Sequence, residues 1–91
     1  MSKIVVEREH SLGREGAREQ AQELAERLAK QYDVSYRWEG DSLNFRRTGA
    51  EGSIVVDDNK VRVNLKLGLL LSALGGTIKR EIEEALDKRL T

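Results

Sequence analysis

Cysteine is absent from the sequence, so there is no disulfide framework, no thiolate metal site and no thiol nucleophile. Proline is absent too, and no Gly/Ser-rich linker, repeat or low-complexity tract divides the 91 residues, so the spacing predicts one domain over 1–91. No apolar run approaches the roughly 18 residues that a bilayer span needs. Met1 to Val6 runs straight into Glu7, Arg8 and Glu9 without the apolar core of a signal peptide. The chain is therefore expected to be cytoplasmic, with no membrane span. Charge of one sign is missing as well: 16 basic and 16 acidic side chains cancel, which argues against a basic nucleic-acid binder.

What is there begins with alternation. From Val34 to Leu67 every second residue within each segment is apolar: Val34, Tyr36 and Trp38, then Leu43 and Phe45, then Ile54 and Val56, then Val61, Val63, Leu65 and Leu67. A period of two marks strands with one buried and one wet face. The breaks at Gly40-Asp41, Gly49-Ala50 and Asp58-Asn59 fit two-residue hairpin loops with the positive φ of primed turns. Counting outward from those turns pairs Trp38 with Leu43, Leu43 with Val56, and Phe45 with Ile54, which keeps all apolar residues on one face. Tyr36, Trp38 and Phe45 then read as core aromatics rather than base-stacking ones.

Ile4 and Val6 alternate with polar neighbours in a short first strand. It can join antiparallel beside the last strand or parallel beside the second. The commoner antiparallel pairing favours the last strand, with Val5 near Val55 on the outer face. Ser11 offers an N-cap, and Ala17, Ala21, Leu24, Ala25, Leu28 and Tyr32 then share a helical face. After Leu67, the stripe Leu71, Leu74, Ile78, Ile82 and Ala85 predicts a second helix from about Leu69 to Arg89, bent or broken at Gly75-Gly76. The expected fold is α+β: a two-layer sandwich in the order β-α-β-β-β-β-α, with a mostly antiparallel five-stranded sheet and both helices on one face.

Few residues suggest chemistry. His10 is the only histidine and has no evident acid partner in sequence, so it reads as a capping or packing residue at the strand-to-helix corner. Neither a catalytic group, nor a cofactor site, nor a metal site emerges. Arg37, Arg46, Arg62 and Lys66 fall on the outer sheet face and form a candidate face for an anionic ligand, against the plainer reading of a solvated face offset by Glu39, Glu51 and Asp57. Register puts Arg47 on the inner face between Val34 and Gly52, where glycine leaves room for its stem. Leu69, Leu70 and Ala73 cannot all point to the core from one helix. They are either covered by a loop or form an apolar contact surface.

The stretches "EREHSLG", "YRWEGDSLNFRRTGAEG" and "LGLLLSALGGTIKREIEEAL" together resemble the bacterial polyhydroxyalkanoic acid system proteins across nearly the whole chain. The landmarks are His10, Trp38 to Asp41, Gly49 to Gly52 and Leu67 to Leu70, with Gly-Ala-Glu-Gly standing where Gly-Val-Asp-Gly is expected. The resemblance implies a process and a place, storage-polyester metabolism and cytoplasmic polyhydroxyalkanoate granules, and carries over no chemistry. The leading reading is a non-enzymatic accessory protein acting at the granule or on granule-associated proteins, with no catalytic residue and no cofactor expected. A homodimer is a further option. The competing reading is a small-molecule-binding or enzymatic helix-grip-like domain with a pocket between helix and sheet, which would need convergent polar groups in the interior.

Overall fold

The computed structural model describes residues 2–90, the side chains of Ser2 and Leu70 excepted. The elements are β1 (Ser2–Glu9), α1 (Gly13–Tyr32), β2 (Ser35–Glu39), β3 (Ser42–Arg47), β4 (Ala50–Val56), β5 (Lys60–Leu67), the one-turn α2 (Leu69–Ser72) and α3 (Gly75–Arg89). The strands form one antiparallel sheet in the order β1-β5-β4-β3-β2. β1 therefore pairs with the last strand, as expected from the sequence. Val5, however, lies opposite Asn64, one row away from Val55, which lies opposite Arg62.

Alternation decides which face is buried. Ile4 and Val6 on β1, Leu43 and Phe45 on β3, Ile54 and Val56 on β4, and Val61, Val63, Leu65 and Leu67 on β5 all point inward. α1 covers this face over β2, β3 and β4, while α3 lies over β1. α1 contributes Ala17, Ala21, Leu24, Ala25 and Leu28, and α3 contributes Ile78, Ile82, Ala85 and Leu86. Alanines on α1 let the helix sit close to the strands, and each large side chain fully buried contributes about 1.5–3 kcal/mol. Trp38 and Tyr36 lie at the rim of this core, partly buried, rather than inside it.

Two hairpins turn where the sequence places them, at Gly40-Asp41 and Asp58-Asn59. The third does not. Arg47 pairs with Ala50, so the loop is Thr48-Gly49, and Leu43 faces Ile54 while Phe45 faces Gly52. This is a slip of two residues from the expected pairing, which leaves every side chain on its expected face. Two contacts account for it. Gly49, at φ 85°, takes the loop position that requires left-handed backbone, and its carbonyl accepts the Gly68 N–H at 2.7 Å, extending the β4–β5 ladder. The Phe45 ring then lies over Gly52, where a Cβ would come within 3.0 Å of the ring and collide with the Asn64 carbonyl. At Asp58-Asn59 the expected positive φ is absent: the only such residues described are Gly13, Asp33, Gly40 and Gly49.

The helix ends depart from expectation too. Ser11 makes no cap; Leu12 is the N-cap residue of α1 and has no side-chain cap bond. At the other end Asp33 adopts left-handed backbone, with φ 57° and ψ 44°, and donates its N–H to Ala29. The C-terminal helix breaks at Ala73-Leu74, before the two glycines, which form the first turn of α3. The break turns Leu74 outward, 44% exposed, instead of into the core.

Candidate functional site

Three places hold the residues that the sequence singles out. The first is the end of the sheet where α1 begins. Arg14 reaches Asp41 at 3.0 Å and Asp58 at 3.1 Å, so one guanidinium ties two hairpin tips to the helix. One turn on, Arg18 donates to the Gly40 carbonyl at 2.6 Å and pairs with Asp41 at 3.2 Å. Its guanidinium also stacks 4.0 Å over the Trp38 ring. The indole Nε1 donates to Gln22 Oε1 at 2.9 Å, and the Gln22 amide nitrogen donates to the Tyr36 hydroxyl and to Glu26. Trp38, Gly40 and Asp41 are thus fixed to one helix face. The clamp was missed from sequence, although Arg14 and Arg18 at i,i+4 spacing face the end where both aspartates turn.

His10 sits at the strand-to-helix corner, 8% exposed. Its Nδ1 accepts the Leu12 N–H at 3.2 Å, doing at the head of α1 what Ser11 does not. Its Nε2 lies 3.1 Å from the Asp57 carbonyl. An acceptor at Nδ1 and a carbonyl at Nε2 assign the neutral tautomer with the proton on Nε2. Both nitrogens are occupied by main chain. At the far end of α1, Arg47 Nη1 donates to the Tyr32 carbonyl at 2.6 Å, closing the helix C-terminus. Its strand neighbour is Ala50, not Gly52. The Tyr32 hydroxyl donates to Glu81 of α3 at 2.9 Å, and burial together with that bond pushes its pKa above the ordinary tyrosine value.

The second place is the outer sheet face. It curves into an open trough of about 810 Å³, floored by Asn44, Ser53 and Asn64 and flanked by Arg37, Arg46 and Lys66. The two-residue slip sets Arg62 one row away from Arg37, so the four cations do not form one line. Acids offset three of them: Glu39 lies 3.8 Å from Arg37, Glu51 3.8 Å from Arg46, and Glu7 3.9 Å from Arg62. Glu7, rather than Asp57, supplies the third carboxylate. Lys66 has no ion partner among the described residues. Pairs this exposed contribute little each, but they neutralise the face as a field.

The third place is the turn from sheet to helix after β5. Gly68 caps α2, and the Ser72 hydroxyl donates back to the Gly68 carbonyl at 2.8 Å. Leu71 packs against the core rim. Leu69 stands 84% exposed, and Ala73, four residues on, is exposed beside it with Leu74. The Leu70 side chain lies outside the described residues. Leu69 on the single turn of α2, with Ala73 and Leu74 in the break that follows it, thus presents apolar side chains to water.

Between helices and sheet, where the competing reading needs a pocket, the space is filled by the buried apolar cluster. Among the described residues no helix is long and apolar enough to cross a membrane. Comparison with curated proteins and with solved structures returns no match. A family profile does match, over residues 4–90, and that span takes in the histidine corner, the Trp-x-Gly-Asp clamp, the glycine turn and the Leu-Gly junction. The chain belongs to the polyhydroxyalkanoic acid system protein family.

Proposed function

We propose that the chain is a non-enzymatic accessory protein of polyhydroxyalkanoate metabolism, which adheres through α2 to the granule surface or to a granule protein. The observation that carries this reading is Leu69, 84% exposed on α2, with Ala73 and Leu74 exposed in the break that follows. An apolar side chain left in water gains about 1.5–3 kcal/mol when an apolar partner covers it. A storage polyester presents such a surface, and a cytoplasmic chain meets it there.

The family landmarks support the non-enzymatic part. Both His10 nitrogens are occupied by main chain, Trp38 and Asp41 are held by Arg18, and Gly52 makes room for Phe45. Each has a structural task, and none converges with another on a common reacting point. The test is cosedimentation with purified polyester granules. Leu69→Ser with Leu74→Ser should weaken association while lowering stability in urea only modestly, since Leu69 is 84% and Leu74 44% exposed. Granule binding equal to the wild type would refute the assignment to α2, and turnover of a hydroxyacyl substrate abolished by His10→Ala in a folded chain would refute the non-enzymatic reading.

A further inference from the structure

β1 is an edge strand of eight residues, paired on one side only. The direction of its main-chain groups follows from the ladder. His10 donates its N–H to the Asn59 carbonyl at 2.9 Å, so with the β1–β5 register the even-numbered residues bond to β5. Lys3, Val5, Glu7 and Glu9 then direct N–H and C=O outward. Arg8 Nη1 reaches the Glu7 carbonyl from that side at 2.9 Å, which leaves the oxygen a second lone pair.

The side chains of these residues lie on the outer face, and Lys3 and Val5 lack complementary neighbours within one chain. Lys3 stands directly across from Lys66, a like-charge cross-strand pair that is destabilising. It has no ion partner among the described residues. Val5 is 40% exposed on a face whose only other apolar strand residue is Val55, one row away. Glu7, four residues from Lys3, bonds Lys60 at 3.1 Å and lies 3.9 Å from Arg62.

We propose that β1 is a homodimerisation edge: two copies pair β1 with β1, antiparallel about Val5, in one continuous sheet with two-fold symmetry. This register sets Lys3 against the second copy's Glu7 and Val5 against the second copy's Val5. On the inner face it sets Ile4 beside the second copy's Val6. Lys3, Val5 and Glu7 each donate and accept across the junction. Moving the axis to Ile4 would put Lys3 against valine; moving it to Val6 would pair Lys3 with Glu9 but put Val5 against Glu7, so only the Val5 axis suits both the lysine and the valine. A lysine on an edge strand ordinarily guards against pairing. Glutamate four residues on turns that guard into a selector for this partner in this orientation. The other edge, β2, is five residues long against the eight of β1.

The test combines sedimentation equilibrium with hydrogen exchange on the full chain. The wild type should reach twice the mass of one chain as concentration rises, with the Lys3, Val5 and Glu7 amides gaining protection in step. The Ile4 and Val6 amides should be protected throughout. Lys3→Glu should weaken the dimer about tenfold or more by setting like charges opposite twice over, and Lys3→Glu with Glu7→Lys should restore it. Val5→Pro, which removes an N–H that the monomer's ladder does not use, should give a folded monomer. A wild type that stays monomeric at its highest soluble concentration would overturn the proposal. So would a dimer whose Lys3, Val5 and Glu7 amides exchange as in the monomer, or one insensitive to Lys3→Glu. The α2 reading is judged separately, by granule binding of the Leu69→Ser and Leu74→Ser chain.

Discussion

Replacing Trp38 by alanine probes the corner where the helix is tied to the hairpin tips. A fully buried tryptophan truncated in this way costs about 3–5 kcal/mol. Trp38 lies at the core rim, so part of its ring surface stays in water and the packing share falls toward about 2 kcal/mol. The Arg18 guanidinium 4.0 Å over the ring adds about 0.5–1 kcal/mol. The indole bond to Gln22, at a wet edge, is replaced by water at little cost. The expected loss is about 2–3 kcal/mol. Because Trp38 is the only tryptophan, its own fluorescence vanishes with it, and urea unfolding should be followed by circular dichroism. A double-mutant cycle with Arg18→Ala should give a coupling of about 0.5–1 kcal/mol. A loss below about 1 kcal/mol, or additive single changes, would refute the view that stacking on Trp38 joins helix to hairpin.

Gly52→Ala should destabilise by more than a typical surface change, since the new Cβ meets the Asn64 carbonyl and the Phe45 ring; pairing it with Phe45→Leu should recover only part, because the carbonyl remains. His10→Ala should leave the chain folded at a cost of about 1–3 kcal/mol, as the Leu12 N–H and the Asp57 carbonyl lose their partner; a neutral result in thermal unfolding would contradict the capping role. Tyr32 carries a pH effect whose sign follows from its raised folded pKa. The folded state keeps the proton longer, so the stabilisation is complete below the unfolded value near 10 and is lost as pH rises through the folded one. Wild type should therefore lose stability relative to Tyr32→Phe above about pH 10, and a pH-independent difference between the two would refute this.

Legibility followed the physics of period. Ile54 and Val63 are buried, and Ser53 and Asn64 face out, because alternation leaves a strand only two choices of face. The stripe on α1 was readable for the same reason. Trp38 was misplaced because hydrophobicity says which face a residue takes, not how far from the centre of that face it lies. The Arg14–Asp41–Asp58 clamp was not read because it joins residues whose proximity depends on where the helix starts relative to the hairpin tips. Leu74 fitted the helical stripe of Ile78 and Ile82, and points outward because the helix breaks two residues before its glycines.

The β3–β4 register shows where such reading ends. Moving a strand by one residue exposes its whole apolar set, and the sequence forbids it; moving it by two exchanges one buried neighbour for another and leaves the pattern intact. Leu43 is equally inward opposite Val56 or Ile54, so periodicity is silent between the two. The choice falls to volume and backbone. Opposite Gly52 the Phe45 ring gains the space that a missing side chain leaves, whereas opposite Ile54 it would compete with a branched side chain for the same layer. Gly49 is then free to take the left-handed position and to hand its carbonyl to Gly68, at the residue that caps α2. The slip thus reaches beyond the sheet. It sets where β5 stops and how α2 leaves it, with Leu71 against Gly49 and Leu69 turned to water, so the surface proposed for granule contact is positioned by a glycine turn that lies two strands earlier in the chain and bonds Gly68 directly.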